Sequence, residues 1–324
     1  MIRGATAALA WIGRRGTSAV ALSALAGMAV PQLSALARPW VAEAIFVLLV
    51  FAFLRVDPAA VRVRLRRPRL VLLAALWMTV AVPLVAGTAA RAAGLADLQP
   101  DLMLALFIVT AAPAIMSAPA FMYLLGLDGA LSLTVLVASI LLVPLSAPLI
   151  GELMLGDVLP VDGLTLAVKL ISLLAGSMLI AWLLRRLVGL ERIAAAHDHI
   201  DGANVLLLLF FAVAVMDGVA ASFSSRPLLS AGIALLTFAV ALAQIGLTLL
   251  VFAPAARGDA FVIAHAVGNR NMGLMVAALG GTLPDLTWLY FGLGQLPIYM
   301  LPLFLRPFSR RYTGRSAPAP APPV

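Results

Sequence analysis

The stretch PAIMSAP, residues 113–119, interrupts one long apolar segment of this sequence, and the stretch GNRNMG, residues 268–273, interrupts another. Prolines remove backbone donors and disfavour a helical residue before them, so the first stretch ends one helix and starts another. We expect the side chain of Ser117 to cap the restarting helix. Because hydrocarbon tolerates unwound backbone only where protein buries it or it lines a watery cavity, both interruptions predict a functional site.

Composition places the chain in a membrane. Of 324 residues, 63% are hydrophobic and 11% are charged, and the mean hydropathy is +1.09, whereas soluble domains carry about 25% charged residues. The sequence has no cysteine and only three histidines, which argues against disulfides, zinc knuckles and thiol nucleophiles. Since it also lacks a nucleotide-binding loop and a plausible nucleophile–base pair, we expect no enzyme activity, no cofactor and no bound metal.

Ten apolar windows are long enough to cross a membrane, because roughly 20 helical residues span about 30 Å of hydrocarbon. They cover residues 17–36, 40–56, 70–90, 102–125, 129–155, 164–187, 202–223, 228–252, 259–280 and 286–305. The predicted class is therefore an all-α membrane protein. The first window also resembles a secretory signal peptide with a small-residue cleavage site; we expect it to remain as an uncleaved helix.

The basic residues predict the orientation of these windows. With an even number of spans both termini share one side, and 17 of the 22 Lys and Arg residues fall on that side against three on the other. Lys169 and Arg270 lie inside spans. Because basic loops face the cytoplasm, we expect cytoplasmic termini in a multi-pass protein of the bacterial inner (plasma) membrane. The pI near 11.1 then reflects topology and implies no nucleic-acid partner.

The two interruptions occupy matching positions of two halves. The predicted organisation is a cytoplasmic N-terminal segment at 1–16, a five-helix repeat at 17–155, a connector at 156–163, a second five-helix repeat at 164–305 and a cytoplasmic Pro-rich tail at 306–324. Because five is odd, the second half enters the membrane from the opposite side. Pro113 and Arg270 then lie about 18 Å and about 16 Å along their helices, near the midplane. Matched interruptions of this kind point to a transporter binding site.

The helix ends at the two interruptions indicate which ions could bind at this site. The N-termini of the restarting half-helices favour an anion, and the carbonyl ends of the preceding ones can hold a cation. Arg270 at mid-membrane costs roughly 2.5 to 3.5 kcal/mol or more, which makes it a functional candidate. Two roles stay open for it: direct handling of substrate or ions, or structural pairing with backbone carbonyls or with an acid such as Asp217.

At these residues the sequence resembles the bile acid:sodium symporter family. The family pattern of a proline and two glycines, Ser-Asn, Ala-Leu-Ser and a closing proline aligns without gaps from Pro113 to Pro144. The family's Gly followed by Gln-Asn-Ser-Gly-Leu aligns with Gly268 and residues 270–274. The resemblance implies ten transmembrane helices in two inverted five-helix repeats, with helices 4 and 9 broken and crossed, in a transporter of organic anions.

The sequence departs from that family at the implied sodium ligands. The Ser-Asn pair is replaced by Ala118 and Pro119, and one serine on helix 5 survives as Ser132. The family's threonine, glutamate and glutamine positions hold Leu136, Ala266 and Arg270. We therefore expect no sodium coupling at the family's sites. Arg270 would instead place a permanent positive charge where the family binds a cation.

Nine residues are the predicted substrate and ion site: Pro113, Ser117, Pro119, Ser132, His265, Gly268, Asn269, Arg270 and Asn271. His265 is either a proton-coupling group or a neutral, hydrogen-bonded histidine, and Gln244 is expected to bond across helices.

The predicted function is alternating-access transport of a small organic anion across the lipid bilayer, either proton-coupled or facilitative. The alternatives are a sodium-dependent symporter with rearranged ion sites and a non-transporting receptor or scaffold of the same fold.

Overall fold

The structure, a computed structural model, describes residues 27–55, 68–280 and 283–314. Within these ranges the chain is helical and forms no β-strand, which confirms the predicted all-α class. The predicted N-terminal segment, residues 17–26 of the first window, and residues 315–324 of the tail lie outside the described residues.

Eight α-helices make up the described part of the first half. They are α1 (Pro31–Ala37), α2 (Val41–Arg55), α3 (Pro68–Leu76), α4 (Val82–Ala92), α5 (Leu95–Leu98), α6 (Pro100–Ala111), α7 (Ala118–Leu124) and α8 (Gly129–Leu155). A five-residue π-helical turn, Trp77–Ala81, joins α3 to α4.

Nine α-helices make up the described part of the second half. They are α9 (Gly163–Val188), α10 (Leu190–Ala195), α11 (His197–Ala214), α12 (Val219–Ser225), α13 (Pro227–Val251), α14 (Arg257–Gly268), α15 (Met272–Leu279), α16 (Asp285–Leu293) and α17 (Gln295–Thr313).

Six helical runs in the described ranges are long and apolar enough to cross a membrane. They are Pro31–Leu54, Pro68–Ala92, Gly129–Val158, Gly163–Val188, His199–Ser225 and Pro227–Val251. The pair Asp285–Pro302 and Phe304–Thr313, bent by 46°, makes a seventh if it is counted as one span. The predicted windows 102–125 and 259–280 are each divided into two shorter helices, α6 with α7 and α14 with α15. The ten-span inverted repeat stays a prediction.

The boundary predicted between the first two windows is wrong. Helix α1 starts directly after Val30, with Pro31 in its first turn, and a 3₁₀ turn at Arg38–Trp40 carries the chain on into α2. The prediction instead ended one window at residue 36 and began the next at residue 40. Proline is tolerated in the first turn of a helical segment because the backbone donor it lacks would have no partner there.

Bonds between distant spans agree with the predicted alternation of the helices. Arg38 forms an ion pair of 3.0 Å with Asp217, and both residues are predicted on the side opposite the termini. Arg185 Nη2 donates to the carbonyl oxygen of Leu54 at 2.7 Å, and both are predicted on the side of the termini. Asp217 is therefore the partner of Arg38, and the structure gives it no bond to Arg270.

Candidate functional site

The two interruptions are hydrogen-bonded to each other. The amide of Ile115 donates to the carbonyl oxygen of Asn269 at 2.9 Å, and the amide of Asn271 donates to that of Pro113 at 2.8 Å. Ala114 and Arg270 form the antiparallel β-type pair between them. Each unwound segment thus supplies backbone partners to the other, which is how polar backbone can be buried at this depth. We call this point the crossing.

Local sequence explains how each helix stops at the crossing. Ala112 ends α6 in an extended conformation, with φ −63° and ψ 151°, just before Pro113. Asn269 ends α14 with φ −123° and ψ 94°. The side chain of Asn271 then caps α15, because its Oδ1 accepts from the amide of Leu274 at 3.3 Å, as expected for an N-cap asparagine.

The predicted capping by Ser117 is wrong. Ser117 occupies the N-cap position of α7, but its side chain makes no capping hydrogen bond. Its own backbone is helical, with φ −82° and ψ −8°, whereas a capping serine normally has extended geometry. Pro119, two residues on, also lacks the amide that such a cap would accept from. The Ser117 side chain is exposed, while Pro113 and Pro119 are buried.

Arg270 is the largest fully buried side chain among the described residues, with 1% of its surface exposed. Its Nε donates to Val267 O at 2.5 Å and to Gln244 Oε1 at 3.2 Å. Its Nη1 donates to Ala112 O at 2.8 Å, and both Nη atoms lie 3.1 Å from Met78 O. Within the described ranges none of these partners is a carboxylate. We call the four oxygens around the guanidinium the carbonyl cage.

Two of the cage oxygens are available because the broken helices stop there. In a continuous helix the Val267 carbonyl would accept from the amide of Asn271, but that amide bonds to Pro113 across the crossing. The Ala112 carbonyl lies where α6 gives way to extended chain. The guanidinium therefore takes the carbonyl ends of both broken helices, α6 and α14.

The third backbone oxygen is available because of the π turn. The amide of Val82 bonds to the carbonyl of Trp77, five residues back, and so does not occupy the carbonyl of Met78. Pro83 follows and has no amide to offer. A π turn often marks a functional position, and this one directs the oxygen of Met78 at Arg270.

Sequence reasoning anticipated part of this geometry. The expected cross-helix bond of Gln244 is confirmed, since its amide oxygen accepts from Arg270. Met78 was missed, although Pro83 in the middle of a predicted span could have signalled it. Ser139 was also missed; its Oγ lies 3.3 Å from the amide of Ala114 and receives that bond.

Three further predicted site residues are buried with polar atoms that have no hydrogen-bond partner among the described residues. These atoms are both ring nitrogens of His265, Oδ1 of Asn269 and Oγ of Ser132. His265 is on α14, its carbonyl accepts from Asn269 Nδ2 at 3.0 Å, and its ring centroid lies 6.0 Å from that of Phe121 on α7. Buried polar groups without partners are uncommon in native proteins, so these atoms are candidates for a ligand, a proton or water.

Gly268 is explained by packing. A Cβ at this position would lie 2.7 Å from the Cδ1 atom of Ile245 and 3.0 Å from the carbonyl oxygen of Ala241, both on α13. Only glycine lets α14 approach α13 this closely. The approach keeps Gln244, on the same face of α13, within reach of Arg270.

These features define a multi-pass helical membrane protein with two broken helices bonded at a buried cation. The sequence model of the sodium bile acid symporter family matches residues 42–197. Over this range the chain is similar to the membrane transporters of the bile acid:sodium symporter family, which confirms the resemblance predicted from the sequence. The match includes the interruption at 113–119 and ends before the one at 268–273. No curated protein matches the sequence significantly.

Proposed function

We propose that the protein is a secondary transporter of a small organic anion that works by alternating access without sodium at the crossing. The carbonyl cage around Arg270 carries this proposal, because it is a buried cation site whose cation belongs to the chain itself. The excess of basic residues on one side supports cytoplasmic termini in a bacterial inner membrane.

The cage argues against sodium for two reasons. Its backbone oxygens, which could otherwise ligate a metal ion, already accept from the guanidinium. A sodium ion about 4 Å from the guanidinium would also be repelled by about 4 kcal/mol at an effective dielectric constant of about 20. The apolar residues at the implied sodium-ligand positions, such as Ala118 and Ala266, offer no side-chain oxygen in compensation.

The charge at the crossing supports an anionic substrate. No carboxylate among the described partners neutralises Arg270. Helices α7 and α15 both begin beside the crossing, and helix N-termini carry partial positive charge. Because the guanidinium is buried and occupied, we infer that it attracts the anion through its field. Exposed Ser117 and half-buried Asn271 are then the candidates for direct contact.

His265 supports proton coupling over simple facilitation. It is buried near the crossing, and no hydrogen bond from the described residues to either ring nitrogen fixes its protonation state. Protonation would add a second positive charge to a region that already holds Arg270. A bound anion would offset that charge, so proton and anion would favour each other's binding.

A binding test for sodium needs no known substrate. The purified full-length protein is melted in sodium chloride and in choline chloride of equal ionic strength. A ligand that binds the folded state raises the free energy of unfolding by about 2.7 kcal/mol at a hundred times its Kd. We expect equal melting temperatures in the two salts. A rise specific to sodium would contradict the role given to Arg270.

Transport is tested in proteoliposomes with radiolabelled taurocholate and with short labelled mono- and dicarboxylates. Sodium and proton gradients are imposed separately, and protein-free vesicles give the background. We expect uptake of at least one anion without sodium, faster with an inward proton gradient. Uptake that strictly requires sodium would refute the proposed coupling, and uptake of none of these anions under either gradient would count against the transport proposal.

A further inference from the structure

An apolar groove lies away from the crossing, between the start of α3 and the end of α13. Its volume is about 620 Å³, and its lining includes Leu70, Leu73, Trp77, Val251, Phe252 and Ala255. Arg270 and Ser117 do not line it.

Two arginines neighbour lining residues of the groove in sequence. Arg69 directly precedes Leu70, and Arg257 follows Ala255 by two residues. Both arginines are exposed, and neither forms a salt bridge within the described parts of the chain. Two exposed cations thus stand next in sequence to an apolar groove, a combination that suits a ligand with an anionic head and an apolar tail.

The length of the groove matches one leaflet of a bilayer. Along the helix axis, Leu70 and Ala81, which both line it, are separated by about 16 Å. One leaflet contributes about 15 Å of hydrocarbon. Arg69 and Arg257 are predicted on the side that carries 17 of the 22 basic residues, and the cytoplasmic leaflet that such a side faces is rich in anionic lipids.

We propose that this groove binds an anionic phospholipid, with an acyl chain along α3 and the phosphate between Arg69 and Arg257. The phosphate accepts hydrogen bonds from the two guanidinium groups, which suit phosphate geometry. The acyl chain covers leucine and tryptophan side chains that are otherwise left to bulk lipid.

The groove is connected to the carbonyl cage by a short series of hydrogen bonds. Trp77, in its wall, donates from Nε1 to Thr248 Oγ1 at 3.0 Å. Thr248 in turn donates to the carbonyl oxygen of Gln244 at 2.6 Å, and the side chain of Gln244 accepts from Arg270. The residue after Trp77 is Met78, which contributes its carbonyl to the cage. A lipid held against Trp77 therefore supports the wall of the cage.

Lipid retention is the direct test. The full-length protein is purified with equal amounts of phosphatidylglycerol and phosphatidylcholine, and the lipid that stays bound is quantified by native mass spectrometry. We expect phosphatidylglycerol to be retained severalfold more than phosphatidylcholine. Each basic residue near a membrane surface contributes about 1 kcal/mol to binding of anionic lipid, so the double variant Arg69→Gln, Arg257→Gln should lower phosphatidylglycerol retention about tenfold or more.

Matched control variants distinguish lipid binding in this groove from a general effect of surface charge or of apolar surface. Arg192→Gln combined with Arg311→Gln removes the same charge from exposed positions elsewhere and should leave retention unchanged. Leu73→Trp fills part of the groove and should lower retention of phosphatidylglycerol. Leu72→Trp changes an equally exposed neighbour that does not line the groove and should not.

Equal retention of the two lipids by the wild-type protein would overturn the proposal. So would a double variant at Arg69 and Arg257 that behaves like the charge-matched control. Melting temperatures of all variants identify any that fail to fold. Because retention is measured without a transport substrate, this result is independent of the uptake experiment.

Discussion

The interruption at 113–119 and the one at 268–273 meet at one point but contribute different chemistry. The first is rich in proline and gives only backbone: the Ala112 and Pro113 carbonyls and the Ile115 amide. The second gives a charged side chain, Arg270, together with two asparagines. One break therefore supplies acceptors and the other supplies the cation that binds them. Two helices can be broken at the same depth for different physical reasons and still form one site.

Two arginines of the protein differ in a similar way in their surroundings and their partners. Arg38 pairs with Asp217 at a partly exposed position and lies 4.2 Å from the ring centroid of Trp288. Arg270 is fully buried, and its partners in the described part of the chain are all neutral oxygens. The first arginine contributes one partly exposed ion pair, while the second bonds to α6, α13, α14 and the π turn between α3 and α4.

Removal of Arg270 should have the largest effect. Arg270→Met leaves several buried oxygens without these donors, and each buried acceptor left unsatisfied costs about 1 to 3 kcal/mol. Thermal unfolding in detergent measures the loss. The control is Arg38→Met, for which we expect about 1 kcal/mol or less because exposed ion pairs contribute little. Equal melting temperatures for the two variants would show that the cage does not stabilise the fold.

Gly268→Ala should come next, because it pushes apart the helices that hold the cage. The added methyl group meets the Ala241 carbonyl and the Ile245 side chain, and overpacking costs about 1 to 3 kcal/mol. The control is Gly246→Ala on α13, where a Cβ meets nothing within 4 Å. That control should be neutral or slightly stabilising. A destabilised control together with an unaffected Gly268→Ala variant would contradict the packing described for the second break.

Ser139→Ala tests the support of the first break. It removes the acceptor of the Ala114 amide, and an unsatisfied buried donor costs about 1 to 3 kcal/mol. Since the observed bond is long, we expect the lower end of that range. Ser225→Ala is the control, because this exposed serine bonds only within its own helix. The free energies of unfolding are measured by chemical denaturation. Equal values for the two variants would show that Ser139 does not stabilise the crossing.

The smallest effect is expected at Asp162, which lies at the start of a helix away from the two interruptions. It caps α9 by accepting from Thr165 N at 2.9 Å and Thr165 Oγ1 at 2.6 Å. These bonds lower the pKa of Asp162 below its ordinary value of 3.8. The carboxylate therefore stabilises the folded state above the unfolded pKa, and that contribution is lost as pH falls through the lower folded pKa.

We expect the melting temperature of Asp162→Ala to lie slightly below that of wild type at neutral pH. The difference should vanish on acidification below the folded pKa. Asp157→Ala, at a nearby exposed position, is the control. If the difference in melting temperature between wild type and Asp162→Ala grew as pH fell, the result would contradict the lowered pKa of Asp162.

Much of the architecture follows from short-range patterns. The predicted window 129–155 coincides with α8, because an apolar run bounded by an Asp128 cap and a terminal glycine defines a helix locally. Pro113 predicted a break for the same local reason. The division predicted between windows 17–36 and 40–56 failed because local information does not distinguish the end of a helix from a proline in a first turn.

The sequence by itself determined that this protein is helical, that it lies in a membrane, and that Arg270 is a charge within an apolar segment. Only the tertiary structure decided which atoms compensate it. Met78 is 192 residues away along the chain and Ala112 is 158 residues away. Helix periodicity and proline placement act within a few residues, whereas a buried charge is solvated by whatever oxygens the packed helices bring to it.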